Sequence, residues 1–461
     1  MASVLQVLLL LLCSYHSLVA RPGDAHSIPK ALATGSLKAE AVCAEPQVTP
    51  SPSSGRVTVP LNHRYGPCSP VPSTNGPTMA ELLRHDKLRA EYLQRKVFSL
   101  DDELKQSKLS VPTTLGSALG TRLYVITVGI GTPAVSQNMD IDTGSDVSWV
   151  QCNPCPEPSC HAPNGSLFDP LQSSTYVPFN CTSATCLQLD YHNHGCTSTQ
   201  QCKFYVGYGD GSNTTGTYGS DTLALTPSET VSSFQFGCSH EQSDDSEKTD
   251  GLMGLGGGVQ SLMSQTAATY GNAFSYCLPA TSSTSGFLTF GAPNDTSAFV
   301  TTTMLRVKNR LTFYNVLLQD IKVDGNLLGI SPSVFAAGSL MDSGTRITTL
   351  PLEAYTALST AFKASMTQYT EAPPWNFFET CFDFTGVEED NITIPSVALV
   401  FDGGAIIDLD RSGIMDMAAS CLAFYSTNVS DGSVIGNVQQ RTFEVLHDVG
   451  QSVFGFRQGA C

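Results

Sequence analysis

An acidic hexapeptide occurs twice in this chain. Asp140-Ile141-Asp142-Thr143-Gly144-Ser145 is echoed 200 residues later by Leu340-Met341-Asp342-Ser343-Gly344-Thr345. In each copy apolar residues flank a small polar turn that carries one acid. Ile141, Val147 and Trp149 surround the first, and Leu340, Met341, Ile347 and Leu350 the second. Gly144 is expected to let the backbone turn tightly after the acid. A carboxylate at the end of a buried strand is costly without partners. Two such acids are best accommodated facing each other and sharing one proton, which makes Asp142 and Asp342 a candidate catalytic dyad. Read singly, Ser, Thr, Asp and Gly are ordinary turn chemistry; the duplication is what favours the catalytic reading.

Length and composition narrow the class. At 461 residues the chain has room for two or more domains. Only 14% of it is charged, and Gly, Ser and Thr are abundant, which suits many strands and turns. The net charge of -17 is uneven: residues 1–110 hold 12 Lys/Arg and 9 Asp/Glu, leaving 12 and 32 for the rest, or +3 against -20. So acidic a body argues against nucleic acid and anionic membranes as partners.

Along the chain, Val7 to Leu12 is an apolar run of signal-peptide length, with a cut expected after Ala20. No other stretch is long and apolar enough for a transmembrane helix. Residues 21–111 are rich in Pro, Ser and scattered basic residues and contain one helix candidate, Met79 to Val97. Leu82, Leu83, Ala90, Leu93 and Val97 recur at near-helical spacing, with Arg84, Lys87, Arg89, Arg95 and Lys96 between them. The pattern alone reads either as a solvated helix or as a basic segment lying over an acidic cleft. From Leu123 onward short β-runs alternate with turns, among them Leu123 to Ile130, Lys203 to Tyr208, Phe287 to Phe290 and Tyr314 to Val323. A helix is expected over Glu353 to Met366.

Each acid motif is followed, about 90 to 110 positions on, by an apolar pair and a glycine: Leu252-Met253-Gly254 and Val434-Ile435-Gly436. In these elements the chain resembles the pepsin-like aspartic proteases from about Leu123 to Cys461. It is most similar to the plant, nepenthesin-type branch in three features. These are a Cys-rich insert after Trp149, the run Tyr208-Gly209-Asp210-Gly211-Ser212, and the run from Ile435 to Arg441. The run Asn62 to Cys68 resembles the prosegments of that branch.

The resemblance implies a mainly β, bilobal fold with the Cys-rich insert in the N-terminal lobe. With the apolar leader as signal peptide (1–20), it implies a prosegment (21–111), an N-terminal lobe (112–300) and a C-terminal lobe (301–461); the flexible Ser, Pro, Thr and Gly run before the strand at Leu123 puts the new N-terminus between Leu109 and Gly120. The expected function is that of a secreted or vacuolar zymogen, a hydrolase cutting polypeptides at acidic pH through Asp142, Asp342 and an activated water. No cofactor and no metal is implied, and a monomer is expected whose partners are its substrates and its own prosegment. By resemblance, Thr143 and Ser343 tie the two turns together, Ser145 and Thr345 hydrogen-bond the acids, and Gly144 and Gly344 line the substrate site. Tyr208 closes over the substrate and bonds Trp149; its plainer reading is a half-buried hairpin aromatic. The competing class is a catalytically silent binding or inhibitor protein on the same scaffold.

Twelve of the 15 cysteines lie in the body, an even number in a chain expected to be secreted, so six disulfides are expected. The alternative is a zinc site built on Cys152 and Cys155 with His161, His192 or His194. Spacing leaves connectivity open. The family resemblance implies Cys152–Cys155, Cys160–Cys238, Cys181–Cys202, Cys186–Cys196, Cys277–Cys461 and Cys381–Cys421. Six glycosylation sequons, at Asn164, Asn180, Asn213, Asn294, Asn391 and Asn428, make a glycoprotein the expectation.

Overall fold

The computed structural model describes residues 55–70, 78–98, 124–155, 160, 167–189, 194–208, 212–243, 249–279, 284–427 and 432–461. The expected signal segment, the expected new N-terminus, Gly209 to Gly211, and the sequons at Asn164 and Asn428 lie outside these residues. The chain is mainly β and bilobal, as the duplicated motif requires.

Strand β1 (Val57–His63) buries Val57, Val59 and Leu61, the alternation of a strand with one face on a core. It pairs with the Ser285–Phe290 strand from Val57↔Phe290 to Asn62↔Ser285, and with β2 (Tyr124–Ile130) at Asn62↔Val125 and His63↔Tyr124. β1 therefore sits inside a 15-stranded sheet rather than at its edge. Two of its flanking cations reach buried acids: Arg56 lies 3.7 Å from Glu444 and Arg64 lies 3.2 Å from Asp140.

Helix α1 (Met79–Phe98) starts on a reciprocal cap. Thr78 Oγ1 accepts from Glu81 N–H at 3.3 Å while Glu81 accepts from Thr78 N–H at 2.9 Å. Its expected apolar face, Leu82, Leu83, Ala90, Leu93 and Val97, is buried. Among the later elements the expected helix spans Leu352–Ser365 and buries Ala354, Leu358 and Phe362. The run Tyr314 to Val323, expected as one strand, is split into Asn315–Val316 and Leu318–Val323. The first piece pairs with the Ser339–Met341 strand and the second with Val397–Phe401, so the chain changes sheets between them.

The two acids sit on repeated scaffolds. β3 (Val135–Asp142) runs parallel to the Gly251–Gly254 strand, with Asp142 opposite Gly254, and that strand pairs antiparallel with β4 (Trp149–Gln151). In the second half, Ser339–Met341 runs parallel to Ser433–Ile435, which pairs antiparallel with Thr348–Pro351 at Thr349↔Val434. The apolar-apolar-Gly elements are thus the strands that hold each acid strand. They end on glycine because a Cβ at Gly254 would crowd the Asp146 backbone, and one at Gly436 would lie 2.5 Å from Arg346 O.

All twelve body cysteines are paired, which overturns the zinc alternative, and four of the implied pairings are corrected. The bonds are Cys152–Cys238, Cys155–Cys160, Cys181–Cys196 and Cys186–Cys202, with Cys277–Cys461 and Cys381–Cys421 as expected. Strand pairing explains the first. β4 runs parallel to Thr230–Gln242 with Val150 opposite Cys238, which brings the Cys152 and Cys238 Cα atoms to 5.3 Å. In the insert, Cys196 and Cys202 face each other across a hairpin. Each bonds instead to the neighbouring turn, where Cys181 precedes and Cys186 lies within the short helix Ala184–Leu187.

Candidate active site

The two acid turns meet. Thr143 N–H donates to Ser343 Oγ at 3.2 Å, and Ser343 N–H donates to Thr143 Oγ1 at 2.9 Å, a reciprocal pair across 200 residues. Within each turn the acid is held by its own loop. Asp142 accepts from Gly144 N–H (2.9 Å) and Ser145 Oγ (2.7 Å), while Asp342 accepts from Gly344 N–H (3.4 Å) and Thr345 Oγ1. Both carboxyl groups are fully buried.

Gly144 lies in a turn, as expected, and so does Gly344, but neither has a positive φ, so the turn alone does not demand glycine and a steric reason adds to it. A Cβ on Gly144 would lie 2.7 Å from Asp342 Oδ1, and one on Gly344 would lie 2.7 Å from Asp142 Oδ1. Each glycine makes room for the opposite acid and for the Arg89 guanidinium, whose Nη2 would lie 2.7 Å from a Cβ on Gly144 and closer still to one on Gly344.

Arg89 of α1 occupies the point where the acids converge. Its Nη2 donates to Asp142 Oδ1 at 2.6 Å and to Asp342 Oδ1 at 2.9 Å, and its Nε donates to Asp342 Oδ2 at 2.9 Å. Buried charge-assisted bonds from one planar guanidinium to two carboxylates are strong and directional. Of the basic residues expected to act by general attraction, Arg89 alone is given this role. Arg95 pairs with Glu91 of its own helix, and Lys96 lies over the Tyr92 and Phe313 rings.

Two neighbours of Arg89 on α1 went unnoticed in the sequence. Asp86, fully buried, accepts backbone N–H groups from Arg346 and Ile347, the latter at 2.8 Å, just beyond the second acid turn. Burial pushes its carboxyl up to about 7, against the opposing pull of those two N–H donors. Gln94 donates to Thr349 Oγ1 at 2.9 Å and accepts from Thr427 Oγ1 at 2.7 Å. Their signal would have been polar residues on the helix face otherwise made by Leu83, Ala90 and Leu93.

Beside α1 a cavity of about 740 Å³ opens from Asp142 and Ser145 along Val147, Val206, Tyr208 and Thr312. Tyr208 OH accepts from Trp149 Nε1 at 2.6 Å, which ties Tyr208 to β4. Asp146 borders the same cavity, where it accepts from Gly258 N–H (2.8 Å) and Thr312 Oγ1 (2.6 Å); burial raises its pKa. The geometry gathers Asp142, Thr143, Gly144, Ser145, Asp342, Ser343, Gly344 and Thr345 at one point, with Tyr208 at the cavity wall and Trp149, itself buried, bonded to it. Among the described residues no group of three His, Cys, Asp or Glu side chains is placed to hold a metal.

Two halves that each present an acid turn on a repeated strand frame, the turns bonded to each other, define the pepsin-like architecture. Family models agree: "Xylanase inhibitor N-terminal" matches residues 124–292 and "Xylanase inhibitor C-terminal" matches residues 313–458. An aspartyl protease family protein of Arabidopsis thaliana is 35% identical over 426 residues, covering 90% of this chain and 89% of its own length. The aspartic proteinase nepenthesin-2 of Nepenthes gracilis is 30% identical over 438 residues, covering 90% and 95%. Basic 7S globulin from soybean, 20% identical with a TM-score of 0.57, shares the fold over 72% of this chain and 90% of its own. The chain belongs to the plant pepsin-like aspartic protease family.

Proposed function

We propose that the chain is an aspartic endopeptidase made as a zymogen, with Asp142 and Asp342 as its catalytic acids. One observation carries the reading: a single nitrogen, Arg89 Nη2, lies within hydrogen-bond distance of one oxygen from each acid. A water in that place, once α1 has left, would touch both carboxyl groups. The ionised one takes a proton from the water as its oxygen attacks the scissile carbonyl carbon. The protonated one hydrogen-bonds the carbonyl oxygen. The acid that took the water's proton then gives it to the leaving nitrogen as the C–N bond breaks, the other acid keeps its own proton, and no covalent enzyme intermediate forms. In this reading an extended polypeptide binds along the cavity that Tyr208 lines, and Thr143, Ser343, Ser145 and Thr345 keep the acids in register.

In this reading the segment from residue 21 to about 111 is the prosegment, α1 is its inhibitory part, and the protein acts as a monomer without a cofactor. The apolar leader, the oxidised cysteines and the sequons on exposed Asn180, Asn294 and Asn391 support passage through the secretory route to the cell exterior or vacuole. Among the described residues no helix is long and apolar enough to cross a membrane.

The test is cleavage of a denatured protein by the acid-treated precursor between about pH 2 and 6, with and without pepstatin, and with Asp142→Asn and Asp342→Asn. Pepstatin-sensitive cleavage lost in both variants is expected. A folded protein that cuts nothing would instead favour the silent binding protein.

A further inference from the structure

The run from Ile435 to Arg441 has chemistry that the dyad reading leaves unused. Asn437, Gln439 and Gln440 lie on the 3-10 turn Asn437–Gln440, and all three are buried. Asn437 grips the second acid turn twice: its Nδ2 donates to Ser343 O at 3.0 Å, and its backbone N–H donates to Thr345 O at 2.7 Å. These are the carbonyls on either side of Gly344. Gln439 accepts from Thr348 N–H (3.1 Å) and Thr348 Oγ1 (2.7 Å), and donates to Gly413 O (2.7 Å) and Ala423 O (2.8 Å). Gln440 donates to Ile435 O at 2.7 Å and accepts from Tyr276 OH.

The first half is framed differently. The residue after its glycine is Leu255, whose side chain has no donor, while its backbone N–H donates to Asp142 O at 2.8 Å. Carboxylates do part of the remaining work: Asp250 accepts Asn138 N–H at 2.7 Å, and Asp146 accepts Gly258 N–H. Carboxylates change charge in acid; amides do not.

We propose that Asn437 is a positioning residue for Asp342. Its side-chain NH₂ holds the Ser343 carbonyl, and because it is an amide that hold is unchanged across the acid range in which the dyad would work. The inference rests on the aspartic protease reading. An aspartate in this place could donate to Ser343 O only while protonated; once ionised it would repel that carbonyl and add a second negative charge beside Asp342.

The experiment compares Asn437→Leu, which copies the first half, with Asn437→Asp, which keeps the volume. In Asn437→Leu, kcat is expected to fall about tenfold or more with KM within about twofold, by the same factor at every pH. In Asn437→Asp the activity relative to wild type falls as pH rises, over a range that burial and the Asp342 charge move up from the ordinary Asp value as they do at Asp86, because the donor is lost on ionisation. A flat ratio for Asn437→Asp, or a kcat within about twofold of wild type for Asn437→Leu, overturns the proposal. If Asn437→Leu does not fold, the Asn437→Asp profile decides alone. If wild type itself cuts nothing, the protease reading has failed separately, and α1 gives the readout. A displaced Asp342 weakens the grip of Arg89, so trypsin should cut α1 of Asn437→Leu at Arg84 and Lys87 about fivefold faster or more at neutral pH. Equal rates in wild type and variant would then overturn the positioning role.

Discussion

Arg89 and Asp142 are joined by a 2.6 Å ion pair in which neither side chain is more than 5% exposed, and the same nitrogen also reaches Asp342. A guanidinium buried this far gives up hydration, and its bonds to the acids must compensate. α1 is therefore held by specific contacts, those of Asp86 and Gln94 beside those of Arg89, rather than by the +3 against -20 charge imbalance alone.

Replacing Arg89 by Met tests that arrangement. Breaking one side of a buried ion pair typically costs about 3 to 5 kcal/mol, here lessened because the two acids can share a proton once the cation is gone. The precursor of Arg89→Met should bind pepstatin at acid pH at least about tenfold more tightly than wild-type precursor, since α1 competes less for the site. Isothermal titration at matched pH reads this, and an unchanged affinity would mean that α1 is held by its apolar face.

The pH response should combine two opposed groups. His63 of β1 accepts from Tyr65 N–H at 3.2 Å and packs edge-on against Tyr124. Burial first, then the nearby Arg441 and Arg346, push its pKa down to about 3. With its folded value below the ordinary 6.5, the released segment binds more protons than the docked one, so docking weakens as pH falls from about 6.5 toward 3. Asp86 has the opposite sign. Its folded value near 7 lies above the ordinary 3.8, so its contribution favours docking as pH falls through that interval. His63→Gln should move acid release of residues 55–98 to lower pH, and Asp86→Asn should make release steeper. Hydrogen exchange across α1 and β1 between pH 7 and 3 measures both. Identical release curves in the two variants would remove them as pH-responsive groups.

The fold was legible because the acid motif, the apolar-apolar-Gly strands and the helix faces all obey local patterns, and these survive into the structure at Asp142, Asp342, Gly254, Gly436 and Leu83. What stayed hidden depends on pairing across long separations. Cys152 lies 86 residues from Cys238, and only the parallel neighbour strand shows that they meet. Arg89 was one of five basic residues with similar spacing, and nothing local separates the one that reaches both acids from Lys87 or Arg95. Asp86 and Asn437 read as ordinary polar residues until their backbone partners on other elements are known.

The disulfide set is open to direct mapping. Non-reducing peptide analysis should recover Cys152–Cys238 and Cys186–Cys202 as separate linkages. Cys152→Ser with Cys238→Ser should lower unfolding stability by about 2 to 4 kcal/mol, because that bond closes the long loop between β4 and its parallel neighbour. Urea unfolding compares the variant with wild type. Recovery of a Cys152–Cys155 bond would show that the insert is wired otherwise.

Gly344→Ala separates the two reasons for a glycine in the acid turn. If a left-handed backbone were required, alanine would destabilise the fold; but φ at Gly344 is not positive, so the turn itself tolerates a side chain. The obstacle is what lies across the site: with α1 in place the added methyl would meet the Arg89 guanidinium, and with α1 gone it would still lie 2.7 Å from Asp142 Oδ1, closer than a carbon and an oxygen can approach. Relief requires the two turns to separate by several tenths of an ångström, which also stretches the bonds between Thr143 and Ser343. Positioning errors of that size at reacting groups are costly to rate while leaving the core intact. Gly344→Ala is therefore expected to unfold within about 1 kcal/mol of wild type yet to lose about a hundredfold or more in kcat, with Gly144→Ala behaving alike. Thermal unfolding and peptide-cleavage kinetics on the same preparations give both numbers. A variant that is unstable and inactive together would return the explanation to the backbone, and one that keeps full activity would mean that the acids are not held at the separation seen here.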